Sequence, residues 1–113
     1  MDNQIKNIPH SAVLPLADQV DYLPGQIVSK TLAQNTRLTL TLFAFEKGEE
    51  ISAHKSSGDA MVLALDGIGK ITIDSQEYLL HPGETIIMPA GIPHAVQGQE
   101  RFKMLLTVAF PES

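Results

Sequence analysis

Apolar residues along this chain come in short alternating runs, and nowhere does a spacing of three and four residues persist over three helical turns. Side chains two positions apart in a strand share a face, so such runs are typical of β-strands. The clearest run is 37–45, where threonine and phenylalanine alternate with leucine and alanine, which predicts a strand covered on both faces. The chain is therefore predicted to be all-β. The predicted strands are 26–32, 37–45, 60–65, 70–73, 77–80, 85–88, 94–97 and 101–110.

Turn-forming residues separate these runs at regular intervals. The segments 47–49, 66–67, 74–75, 81–83 and 89–91 are built from glycine, proline and small polar residues, which are typical of tight turns. Short strands divided in this way indicate an antiparallel sandwich or barrel. We therefore predict a single antiparallel β-barrel domain over residues 26–113.

Residues 1–25 differ from the rest of the chain. Pro9, Pro15 and Pro24 divide this segment into short pieces with few apolar side chains. Proline has no amide donor, so it is confined to the edges of sheets. The segment is predicted to be an irregular N-terminal arm that packs on the barrel, with one short strand near Val20.

Composition limits the classes of function. The chain has 113 residues, of which 43% are hydrophobic, enough for one ordinary core. Eight lysines and arginines against 13 aspartates and glutamates give a formal net charge of −5, so a nucleic-acid partner is not expected. The absence of cysteine excludes disulfides, thiolate nucleophiles and cysteine-ligated metals. No apolar run resembles a signal peptide or a membrane span, so we expect a cytoplasmic protein without a membrane partner.

Two spaced patterns of glycine, histidine and proline stand in the second half of the chain. The first leaves gaps of five, one, three and six residues, and the second leaves gaps of five, one, two and three. The first consists of Gly48, His54, Ser56, Ala60 and Gly67, and the second of Gly83, Pro89, Gly91, His94 and Gly98. Both patterns resemble the two sequence motifs of the cupin superfamily, as found in small single-domain members of the RmlC-like type. The resemblance implies a double-stranded β-helix, or jelly roll, with an antiparallel barrel.

The resemblance also implies a pocket with a reduced set of metal ligands. Cupins usually offer two histidines and a glutamate from the first motif and a further histidine from the second. Here His54 and His94 stand at ligand positions, whereas Ser56 and Ala60 replace a histidine and the glutamate. Strand periodicity places residues 54, 56 and 60 on one face, so His54, Ser56, Ala60 and His94 are predicted to line the ligand pocket. A metal there would be iron, manganese, nickel, copper or zinc, held by His54 and His94.

Asp59 is the carboxylate nearest to these positions in the sequence. It is one residue out of step with Ala60, so we expect it to face away and accept hydrogen bonds from nearby backbone N–H groups. A bulge would turn it inward, and His54, Asp59 and His94 would then approximate the two-histidine, one-carboxylate triad of non-haem iron enzymes. Without a third ligand, two imidazoles would form a weak, exchangeable site.

Three functions remain open at this point, and no catalytic residue is assigned. The first is a cupin that binds a small molecule in the barrel with weak or no metal binding. The second is a metal-dependent oxygenase or isomerase that uses His54 and His94, with Asp59 or water completing the site. The third is a relative of the sugar-sensing part of bacterial regulators, without a DNA-binding half.

We also expect a homodimer. Small barrels of the family that this chain resembles commonly pair through an edge strand or an apolar sheet face. The run 37–45 is apolar on both of its faces, and a single thin sandwich covers only one of them. Residues 26–45 are therefore predicted to contribute to the contact.

Overall fold

The structure is a computed structural model that describes residues 4–111. In this range nearly all regular structure is β, apart from a 3₁₀ turn at Leu16–Gln19, which confirms the all-β prediction. The strands in chain order are β1 (Ile27–Gln34), β2 (Leu38–Phe45), β3 (Glu50–His54), β4 (Asp59–Ile73), β5 (Gln76–Leu80), β6 (Thr85–Met88) and β7 (His94–Ala109).

All strand pairs are antiparallel, and the two long strands β4 and β7 pair along their whole length. Because each of them bends, they belong to two layers. The wide layer contains β1, β2, residues 102–109 of β7, residues 59–67 of β4, and β6. The narrow layer contains β3, residues 94–98 of β7, residues 69–73 of β4, and β5. The predicted antiparallel barrel is thereby confirmed.

The bends in β4 and β7 occur where glycine permits them. The register between the two strands shifts between Ala64 and Asp66 and again between Gly67 and Gly69. Gly67 has φ +73°, and a β-carbon on it would collide with the backbone carbonyl of Arg101. Only glycine combines that backbone conformation with so close an approach of another strand.

The main core lies between the two layers. Side chains from the inner faces of both layers form one cluster, which is how two stacked sheets bury their apolar faces. The alternation of β2 is as predicted, because its phenylalanines point into this cluster while Leu42 and Ala44 point to the other side. The largest fully buried side chains of the main core are Phe45, Phe102, Ile71, Met88, Met104 and Val62.

The N-terminal arm covers part of the outer face of the wide layer. Val20 is buried in a second cluster with Leu32 and Leu42, so both faces of β2 are covered within one chain. The arm is also held by polar contacts. The Tyr22 hydroxyl donates to a carboxylate oxygen of Asp66 at 2.5 Å, and the nearly buried Lys103 donates from Nζ to the Ala17 carbonyl at 2.7 Å.

Several local predictions are wrong. Val20 follows a 3₁₀ turn and is not in a strand, because it packs against the sheet face instead of pairing with an edge. The segments 60–65 and 70–73 are predicted as two separate strands but form one continuous bent strand, so 66–67 is a bulge and not a turn. The same holds for the segments 94–97 and 101–110. The sequence analysis also missed β3, which has a single half-buried residue, Ile51, and otherwise faces solvent. In the described part of the chain, no helix is long and apolar enough to cross a membrane.

Candidate functional site

The two motif histidines meet at one end of the barrel. His54 is the last residue of β3 and His94 is the first residue of β7, and the two are cross-strand partners. Paired residues of neighbouring antiparallel strands point to the same side of the sheet. Their ring centroids are 4.4 Å apart with an interplanar angle of 68°, an edge-to-face arrangement. The chain thus brings together side chains that are 40 positions apart in sequence.

Backbone carbonyls fix the proton on each ring. His54 Nδ1 lies 2.9 Å from the Ser52 carbonyl oxygen, and His94 Nδ1 lies 3.3 Å from that of Ile92. A carbonyl only accepts, so in each neutral ring Nδ1 carries the hydrogen and donates it. Nε2 of both rings is then left with a free lone pair. The site therefore offers two neighbouring nitrogen acceptors.

Burial differs sharply between the two rings. His94 is only 4% exposed, whereas His54 is exposed. Burial lowers the pKa of His94 below its ordinary value of 6.5, and the neighbouring His54 lowers it further, against a smaller opposite effect of the Ile92 carbonyl. His94 is therefore neutral at pH 7, as a hydrogen-bond acceptor or general base must be.

The segment 89–93, which leads into His94, is held at both ends. The Ala90 N–H donates to Asp59 Oδ1 at 2.8 Å, and the Gly91 N–H donates to the Ser56 carbonyl at 2.8 Å. On the other side, the Asp74 N–H donates to the Pro93 carbonyl at 2.8 Å. These bonds fix the position of the Ile92 carbonyl and hence the orientation of the His94 ring.

The remaining predicted site residues take different positions. Ser56 lies in the loop between β3 and β4 and is half-buried, and its hydroxyl oxygen accepts the Gly58 N–H at 3.1 Å. Ala60 is buried in the main core, in the row that includes Val62 and Ala64. Asp59 is exposed and directs its carboxylate to the Ala90 N–H, the kind of backbone contact expected for an outward-facing residue.

The donor set does not fit a three-ligand metal site. Across residues 4–111 no group of three or more histidine, cysteine, aspartate or glutamate side chains is arranged to hold a metal ion. Asp59 does not join the histidines, since its carboxylate is bound to segment 89–93. His54 and His94 are the residues that would contact a metal here, and two imidazoles alone are fewer than the three protein ligands of catalytic zinc sites or the iron triad.

Strand register places three further residues on the same face of the sheet as the histidines, and the sequence analysis did not connect them with the site. Ile73 of β4 is the partner of His94 on one side and of Gln76 on the other. Tyr78 follows on the same face of β5. The signal that could have found them is the two-residue turn at Asp74 and Ser75, which fixes the register between the flanking strands.

Comparison with known proteins agrees with this architecture. The profile of the Cupin domain family matches residues 41–108. A conserved protein of unknown function from Streptococcus pyogenes is 47% identical, with a TM-score of 0.96 over 99% of this chain and 98% of that one. A cupin superfamily protein from Desulfitobacterium hafniense is 37% identical, with a TM-score of 0.91 over 96% of this chain and 100% of that one.

A curated relative with a named activity is more distant. Quercetin 2,3-dioxygenase of Bacillus subtilis (strain 168) is 33% identical in an alignment 93 residues long, and the match covers 76% of this chain. The match covers 27% of the length of that enzyme. The family profile spans more than half of the chain and includes both motif histidines. With its jelly-roll barrel and its two motifs, the chain belongs to the cupin superfamily.

Proposed function

We propose that this protein binds a small organic molecule carrying hydroxyl groups at the mouth of the barrel, with His54 and His94 as hydrogen-bond acceptors and with weak or no metal binding. The observation that carries the proposal is the state of the two rings. Each Nδ1 is occupied by a backbone carbonyl, so both Nε2 lone pairs are available to a ligand.

The chemistry of the ligand follows from these acceptors. Two neighbouring imidazole Nε2 atoms with free lone pairs are suited to hydroxyl donors, and the relatively acidic phenol group is a stronger donor than an alcohol. Burial of His94 excludes water from one side of such a bond and so strengthens it. The similarity to quercetin 2,3-dioxygenase supports the same class, a hydroxylated aromatic molecule.

The test is calorimetric titration of metal-free protein with catechol, an aromatic ring with two adjacent hydroxyls. We expect His94→Ala to weaken catechol binding at least tenfold, because it removes the acceptor that is shielded from water. His81→Ala is the matched control, since His81 is exposed and pairs with Glu84 away from the site. Equal affinities of the wild type and His94→Ala would contradict the proposal.

A metal-dependent enzyme is the second candidate, and the observation in its favour is the 33% identity to a dioxygenase. His54 and His94 would be its protein ligands, with water completing the site. Elemental analysis of protein purified without an affinity tag separates the two functions. Near-stoichiometric iron, manganese, nickel, copper or zinc favours the enzyme. A metal-free protein whose melting temperature does not rise when these metals are added favours binding alone, since a tight ligand of the native state must raise it.

A further inference from the structure

We propose that the ligand site continues from the two histidines across β4 onto β5, where Gln76 and Tyr78 form a second contact region for an elongated hydroxylated aromatic molecule. This inference rests on the proposed function and extends it. It assigns specificity to β5, a strand outside both sequence motifs.

Strand register places the first row of this surface. His54 pairs with His94, His94 with Ile73, and Ile73 with Gln76, so these four side chains follow one another across β3, β7, β4 and β5. Cross-strand partners share a face of the sheet, and the contact between the two imidazole rings agrees with this for the first pair. Neighbouring strands are about 4.8 Å apart, so Gln76 lies roughly 10 Å from His94 along this row.

A second row confirms the orientation of β5. Val96 pairs with Ile71, and Ile71 pairs with Tyr78. Val96 and Ile71 both belong to the main core, so Tyr78 is on the core-facing side of β5. Leu80, two residues further along the strand, points the same way and is buried. Tyr78 is nevertheless 43% exposed, so the core does not cover its ring and a ligand can reach it.

The polar groups of this second region are free to bind a ligand. Among the described residues, no hydrogen bond engages the Tyr78 hydroxyl or the Gln76 side chain. Ile73, half-buried between them and His94, provides an apolar floor. The surface therefore has nitrogen acceptors at one end, an apolar middle, and an amide and a phenol ring at the other.

This order of groups selects a ligand of matching shape. A single ring bound to the histidines would leave Gln76 and Tyr78 unused, because two strand spacings separate them. A molecule of two or three connected aromatic rings, with hydroxyls at both ends, reaches from the imidazoles to the phenol ring. Aromatic stacking on Tyr78 would then add affinity that a short ligand does not gain.

The experiment uses two probes of different length, catechol as the short one and quercetin as the long one. Both are titrated calorimetrically, without oxygen and in the presence of a chelator, into the wild type, Tyr78→Ala, Gln76→Ala and His94→Ala. We expect Tyr78→Ala to weaken quercetin about fivefold to tenfold and to leave catechol unchanged. Gln76→Ala is expected to have the same selectivity with a smaller effect, and His94→Ala to weaken both probes.

Leu79→Ala is the matched control, because Leu79 is adjacent to Tyr78 on β5 but points to the opposite face and is 54% exposed. Thermal unfolding of each variant verifies that it is folded. If His94→Ala weakens both probes while Tyr78→Ala and Gln76→Ala weaken neither, the second contact region is wrong and the proposed function stands. If His94→Ala changes neither probe, or if the wild type binds neither, the proposed function fails as well.

Discussion

The wide and narrow layers of the barrel share strands β4 and β7 but differ in their outer faces. The outer face of the wide layer is apolar and lies partly beneath the arm. The outer face of the narrow layer is polar, with Leu79 as its one large apolar side chain among the described strand residues. Each of these two strands therefore has both faces apolar in the wide layer, but only its inner face apolar in the narrow layer. Outer residues of the wide layer include Leu40, Leu42, Leu63 and Leu105, and those of the narrow layer Glu50, Lys70, Thr72, Glu77 and Gln97.

The bend between the layers offers the strongest way to break this arrangement. Gly67→Ala combines a positive φ, which costs about 1–2 kcal/mol for other residues, with a collision that costs about 1–3 kcal/mol or more. The colliding atom is a backbone carbonyl, which cannot move aside as a flexible side chain can. We therefore expect Gly67→Ala to lower the free energy of unfolding by an amount near the upper end of the two costs added together.

Urea denaturation followed by circular dichroism measures this loss. Gly83→Ala is the control, because Gly83 has φ +88° but no atom within 4 Å of an added β-carbon. It should carry only the conformational cost of about 1–2 kcal/mol. Equal losses for the two variants would show that the approach of β7 at Gly67 is unimportant.

Truncation of one leucine on each outer face sharpens the comparison. Leu42 is 0% exposed beneath the arm, so Leu42→Ala should lower the free energy of unfolding by about 3 kcal/mol, within the range of about 2–5 found for buried leucines. Leu79→Ala on the narrow layer should cost less than about 0.5 kcal/mol, as surface substitutions usually do. Both are measured by urea denaturation, and similar losses would contradict the assignment of the arm as a cover.

The regular parts of this fold could be predicted from the sequence because alternation reports which face is buried. Strand β2 is the best example, since its two kinds of side chain point to the two clusters as expected. Strand β3 could not be found this way, because it is held at an edge by pairing with β7 and buries little. The sequence predicts a turn at Gly67 instead of a bend, because glycine at positive φ is compatible with both. The close approach of Arg101, which is distant in sequence, decides between them.

The site was predictable only as far as the spacing of its motifs. The positions of His54 and His94 in those motifs predict that the two side chains lie close together, and the structure places their rings in contact. Spacing predicts that Asp59 faces away, but it does not reveal that Asp59 and Ser56 both bind segment 89–93, which lies more than 30 residues further along the chain. Gln76 and Tyr78 depend on the register of β5, which carries no motif.

The uncovered part of the wide layer bears on the homodimer, which stays a prediction. Met61 and Ile87 are cross-strand partners that remain 41% and 48% exposed, whereas the arm covers Leu42 and Ala44 of the segment first expected to contribute. If a second copy covers this pair, Met61→Glu should weaken dimerisation at least tenfold, because it places a charge in an apolar contact.

Light scattering after size exclusion, at several concentrations, measures this effect. Leu79→Glu is the control, since Leu79 is somewhat more exposed than Met61 but lies on the polar outer face of the narrow layer. A monomeric wild type would contradict the homodimer itself. A dimer that persists in Met61→Glu would place the contact on another face.

The smallest expected effect comes from the contrast between the two histidines. His94 has a lowered pKa in the folded protein, chiefly through burial and also through His54, and its ordinary value is 6.5. Between these values the unfolded chain binds more protons than the folded one, so stability is complete above pH 6.5 and falls as the pH is lowered. One group contributes a slope of at most about 1.4 kcal/mol per pH unit.

Urea denaturation between pH 5 and 7.5 tests this slope. His94→Gln should flatten it, because this change removes the imidazole whose pKa is lowered by burial. Arg101 lowers the pKa of Glu46, and the His81 N–H lowers that of Glu84. These two carboxylates change stability with pH only below their ordinary pKa of 4.5, which lies outside this interval. An unchanged slope in His94→Gln would mean that the ring is hydrated at the mouth of the barrel, and its Nε2 would then lose the shielding from water on which tight binding of a hydroxyl depends.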